Sequence, residues 1–246
     1  MAVTMAGQIR AVRSACSIDE TVIVAGVTAS VCWRRSSRAR RVALRVDPQA
    51  GTIVITLPVR GSRRAGLALL RTHEEWVAQR LSNLPVPIVI AAGNSIPVCG
   101  EPHLIEYDPA HRGRATIRDR RIRVSGQPEF HARRVRDALH ILATERFTHL
   151  ATMKAEQISQ RPRQVKVKDT RSRWGSCTAN GVLMFSWRLI MAPEFVQDYV
   201  IAHEVAHLRY MNHALPFWKL TEELTIYREE ATNWLTSNGA SLLRTA

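Results

Sequence analysis

At 246 residues, 46 % hydrophobic and with a formal net charge of +14, the chain can bury one large core or two modest ones, and no repeat or low-complexity tract interrupts it. Its longest apolar run, residues 21–33, is too short to span a bilayer, and the flanking Asp19-Glu20 and Arg34-Arg35 are the wrong neighbours for a secretory signal. The cysteines Cys16, Cys32, Cys99 and Cys177 have no C-x-x-C spacing, so neither a zinc knuckle nor a disulfide framework is suggested, and a reduced, cytoplasmic setting is the default expectation.

In chain order, residues 1–20 carry no clear pattern and are expected to be disordered. A β-rich region follows over 21–126. Residues 22–58 alternate and are rich in Val, Ile and Thr, with a hairpin signature: 42–46, a turn at 47–51, then 52–57. Residues 67–81 read as a helix, 85–97 as loop, and 103–107, 115–117 and 121–124 as short strands. Gly126-Gln127-Pro128 reads as a hinge, which opens a second region over 127–246. There a long helix over about 129–156 has Val135, Leu139, Leu142, Phe147 and Leu150 in its buried set, followed by strands at 164–167 and 182–187. After Pro216, the residues Phe217, Leu220, Leu224, Tyr227, Trp234 and Leu235 make a helical stripe.

Between the last strand and that stripe lies His203-Glu204-Val205-Ala206-His207, with His213 six residues on; three of nine histidines fall in this window. Two histidines four apart on a helix share a face and can reach one tetrahedral ion, and the adjacent glutamate can address a metal-bound water. Residues 195–202 are apolar at the spacing of a buried helix, Pro193 suits its first turn and Glu194 its positive end, which puts the pair on a core helix. A catalytic zinc keeps three protein ligands and one position for water, so His213 supplies the third donor, with Asn212 turning the chain in a left-handed conformation. Tyr210 stands where metzincins carry glycine, and no methionine follows Met211, against that subclass. Glu222, Glu223, Glu229 and Glu230 offer the gluzincin alternative, a third ligand from the next helix.

Residues 171–177 (RSRWGSC), 189–193 (LIMAP), the histidine helix, Asn212-His213 and Phe217-Trp218 occur in an order that resembles the YgjP-like metallopeptidase family, a zincin group related to the WLM and SprT-like metalloproteases. The resemblance is close over about 160–220 and looser toward the amino terminus. It implies an α+β fold with a zincin-like catalytic domain, metal ligands His203, His207 and His213, and Glu204 as catalytic base. Ser186 stands where the family pattern has asparagine.

The expected reaction is hydrolysis of peptide bonds in a protein or peptide substrate, with Zn²⁺ activating water and Glu204 moving the proton. Arg171, Arg173 and Tyr210 are candidates to hold the oxyanion. The strand over 182–187 is a candidate edge for an extended substrate. Two other readings stay open: a zinc-binding module without peptidase activity, associated with nucleic acid, and a deformylase-type amidase in which Cys177 replaces His213. The charge, almost all arginine, is densest at 34–45, 112–123 and 133–136, a balance that suits a nucleic-acid or acidic-membrane partner although no nucleic-acid motif is present.

Overall fold

The computed structural model describes residues 18–170 and 173–245. Most of the expected amino-terminal disorder therefore lies outside the described residues, and residues 18–20 already belong to the first strand. The chain forms two compact units, residues 1–84 and 85–246. No described helix is long and apolar enough to cross a membrane.

The first unit contains β1 (Ile18–Val24), β2 (Val27–Arg35), β3 (Ala43–Asp47), β4 (Thr52–Leu57), α1 (Arg63–Thr72) and α2 (Glu74–Ser82), with sheet order β1-β2-β4-β3. The β3–β4 hairpin is the one its alternation predicts. Because β2 runs parallel to β4, with Arg35 opposite Leu57, and Ala43 opens β3 opposite Thr56, the two strand ends and the start of β3 share one rim. Val31, Ile53, Ile55 and Leu57 bury against Leu70 and Val77 of the helices. The single helix expected over 67–81 is two helices. His73 leaves helical geometry (φ −119°, ψ 23°), and Glu74 and Glu75 then favour a new helix start by meeting its positive end. Cys32 is disulfide-bonded, contrary to the expectation of none.

The second unit contains β5 (Ser95–Val98), β6 (Glu101–Tyr107), β7 (Thr116–Arg118), β8 (Arg121–Val124), α3 (His131–Gln157), β9 (Gln164–Lys168), β10 (Gly175–Cys177), β11 (Val182–Ser186), α4 (Glu194–Ala206), α5 (Leu215–Leu224) and α6 (Arg228–Leu243). The fold is α+β, with sheets ordered β5-β6-β8-β7 and β10-β11-β9. The division between units falls after Leu84 rather than at the 126–128 hinge. The reason is packing: Ile96, Ile105, Ile122 and Val124 share one core with Val135, Leu139 and Phe147 of α3. The β5–β6 turn also docks on the segment before α4, where Cys99 N–H donates to the Ile190 carbonyl at 2.7 Å and Gly100 N–H to that of Met191 at 3.2 Å. Gly100 (φ 83°) is needed there, since a Cβ would stand 3.0 Å from Pro193 Cα.

α4 is apolar nearly all round, with Val196, Val200, Ile201, Ala202 and Val205 buried, so it can only be an interior helix. Its position is fixed by a buried polar network. Lys154 Nζ of α3 lies 2.7 Å from Asp198 Oδ1 and donates to the Leu224 carbonyl at 2.7 Å, while Thr225 Oγ1 donates to Asp198 Oδ2. One cation thus ties α3, α4 and the end of α5 together. The stripe after Pro216 is split into α5 and α6, because Thr225 is extended (φ −156°, ψ 142°).

Candidate metal centre

The last turn of α4 carries His203 and Glu204, and His207 is its C-cap (φ −67°, ψ −15°). The helix thus ends at the second histidine, earlier than Asn212, and Asn212 is not left-handed. Leu208, Arg209 and Tyr210 continue in tight turns onto the Val205 and Ala206 carbonyls, and Asn212 Oδ1 accepts from Ala214 N–H at 3.3 Å. This turn chemistry, which spacing alone does not reveal, brings His213 back over the helix end.

The three histidines converge. One nitrogen from each of His203, His207 and His213 lies within 4.8 Å of the other two. His203 Nε2 and His213 Nε2 are 3.2 Å apart. His207 Nδ1 is 2.9 Å from the Tyr210 carbonyl; as the N–H donor there, it leaves Nε2 with a free lone pair. Burial pushes His203 down to about 3, helped by the charges of His207, His213 and Arg228. Burial also lowers His207, against the raising effect of its bond to Tyr210 and with a further lowering from His213. These two rings are neutral at pH 7, the form that binds metal. Among the described residues, neither Cys177 nor a glutamate of α5 or α6 joins this group. The Cys177 thiol is pushed up to about 11 by burial and then by Glu204, which disfavours the thiolate that a deformylase-type site needs.

The sequence places Phe217 in a helical stripe and in a motif of the family resemblance, without a role at the site. Phe217 is the floor of the centre, its ring centroid 4.9, 4.5 and 4.7 Å from those of His203, His207 and His213. Trp218 also stands against His203 and His213, with the Arg228 guanidinium 4.0 Å from its own ring centroid. The available signal was position: both aromatic residues open α5, four and five residues after His213.

Glu204 is buried, and desolvation raises its carboxyl to about 8, against the lowering effects of the Arg173 charge and a hydrogen bond from the Cys177 backbone. Its neighbour is β10, a short strand absent from the sequence expectations. A Cβ on Gly175 would stand 2.5 Å from Glu204 Cγ and 2.7 Å from Oε1, so only glycine lets the carboxyl lie flat against this strand. β11, the candidate edge, is the centre of its sheet, and β10 and β9 are its edges. Of the oxyanion candidates, Arg171 lies outside the described residues, Arg173 bears on Glu204, and the contact of Tyr210 at the site is made by its carbonyl.

The family model of the YgjP-like metallopeptidase domain matches residues 40–238 of the chain. No curated protein and no solved structure matches it.

Proposed function

Since this chain belongs to the YgjP-like metallopeptidase family, we propose that it hydrolyses peptide bonds at the His203, His207 and His213 centre with zinc as its metal. The reading is carried by one observation: three converging imidazole nitrogens beside a buried carboxyl, Glu204. The donor set suits the ion. Two ligands at 2.0–2.1 Å from one tetrahedral zinc stand ~3.3 Å apart, close to the 3.2 Å between the His203 and His213 nitrogens. When bound, zinc supplies Lewis-acid polarisation of the scissile carbonyl and makes water a nucleophile near neutral pH.

The chain's own residues do the rest. Glu204 accepts a proton from the attacking water and returns it to the leaving amine, and burial, which raises its carboxyl, makes it a stronger base than an ordinary glutamate. Cys177 N–H orients it, and Arg173 offsets its charge. β10 is an edge strand alongside Glu204, so an extended peptide pairing there presents its carbonyls to the centre with little demand on sequence. A zinc module of purely structural purpose has no use for a base and closes its fourth position with another ligand.

Chelator-treated protein is expected to lose hydrolysis of an unfolded protein substrate and to regain it with one equivalent of Zn²⁺. Undiminished hydrolysis by metal-free protein rejects the proposal. A finer prediction concerns Gly175. Gly175→Ala is expected to lower kcat by ~10²-fold, since it displaces the base from its working position, yet to leave zinc stoichiometry unchanged; kcat within twofold of wild type, measured beside metal content, overturns it.

A further inference from the structure

We propose that the rim of the first unit is a binding surface for duplex nucleic acid, held through the phosphate backbone. Residues 34–64 contain nine arginines and one acidic residue, Asp47. All nine are exposed, and eight of them, Arg34, Arg35, Arg38, Arg40, Arg41, Arg60, Arg63 and Arg64, flank the β2–β3 and β4–α1 connections or lie within them. They are not scattered in space. Those at the end of β2, in the two connections and at the start of α1 are brought by the sheet to the same rim. Arg35 joins the two connections directly, donating to the Val59 carbonyl at 2.7 Å and the Gly61 carbonyl at 3.1 Å. Arg63 is 3.9 Å from Glu20. The other seven have no carboxylate within ion-pair reach among the described residues, the Asp47 carboxylate being engaged by Arg45 at 3.2 Å.

The second unit shows that this is not simply the fate of every arginine here. On its β5-β6-β8-β7 sheet, Arg120 is paired with Glu101 at 2.9 Å, Arg121 with Glu106 at 2.9 Å and Arg123 with Glu106 at 3.6 Å. Arginine is paired with carboxylate on that sheet and largely left without one on the rim. α1 begins at the rim with Arg63 and Arg64 in its first turn and no acidic residue there. Those cations oppose the helix dipole, a cost that a bound polyanion offsets.

The choice of partner follows from the same surface. Guanidinium forks bind phosphate oxygens bidentately, and the rim is built from arginine alone. A membrane anchor needs a second, apolar signal, and Val59 is the one large hydrophobic side chain exposed among these rim segments. Single-strand binders stack bases on open aromatic rings, whereas Trp33, the aromatic residue of the rim, is covered by Arg63 and closely approached by Gly66. A duplex backbone fits what remains. Three strands at ~4.8 Å spacing plus their loops face about four phosphates of one strand.

The test uses the full chain and a fluorescent 25-base-pair duplex of arbitrary sequence, titrated at several salt concentrations. A log–log salt slope of about −4 is expected. Replacing Arg38, Arg40 and Arg41 together by alanine should weaken binding at least tenfold at 100 mM salt and make the slope about 2–3 units shallower. Replacing Arg120, Arg121 and Arg123 by alanine removes the same net charge and should change affinity less than twofold. A lysine triple variant at 38, 40 and 41, expected to keep most of the binding, separates loss of charge from loss of fold. No duplex binding at 50 mM salt overturns the proposal, as does an equal loss in both alanine triples. Preference for a single strand of equal charge, or binding to vesicles containing phosphatidylserine but not to duplex, likewise overturns it.

Discussion

Glu204→Gln is expected to lower kcat for peptide hydrolysis by ~10³-fold or more while zinc content stays at the wild-type level. Glutamine matches glutamate in size, so it fits the space that Gly175 leaves open beside β10. It keeps an oxygen that can accept from the Cys177 backbone. What it cannot do is take a proton from water and give it back to an amine. Glu204 is also outside the trio of nitrogens that face one another, so the substitution leaves that set intact. Steady-state kinetics beside metal analysis checks both halves. Activity within tenfold of wild type would remove Glu204 from the proton-transfer role.

His203→Ala and His207→Ala are each expected to abolish both zinc binding and turnover. Each change deletes one of three donors, and the loss of affinity should far exceed the ~10–100-fold that follows from losing a residue which merely orients a ligand. His213→Ala should weaken zinc less, because His213 is exposed on a turn and a water can occupy its place. Competition against a chromophoric chelator measures all three. A His207→Ala protein that holds zinc at full stoichiometry would place the metal elsewhere.

Much of this arrangement was legible in the sequence. His203 and His207 at helical spacing, in an apolar segment, announced a buried helix, and the long α3 and the β3–β4 hairpin followed from their own periodicities. Less legible was whatever depends on distant contacts. β10 has three residues, too few to alternate, and exists because it pairs with β11. β11 therefore offered itself as a candidate edge, although its stronger apolar pattern reflects its central position. The boundary expected at 126–128 rested on Gly126 and Pro128, turn residues that mark a change of element but say nothing of which core lies on either side. Phe217 looked like any other buried aromatic, since periodicity reveals a face and not what that face touches.

That phenylalanine has a wider consequence. All three imidazoles lean on the same benzyl group, so the centre is cast in one mould and not assembled from independent parts. A slide of α5 tilts the whole trio at once, and a swap of one histidine for a shorter donor opens a gap beneath it. The identity of the coordinating residues is thereby tied to the seating of a neighbouring helix that donates nothing itself.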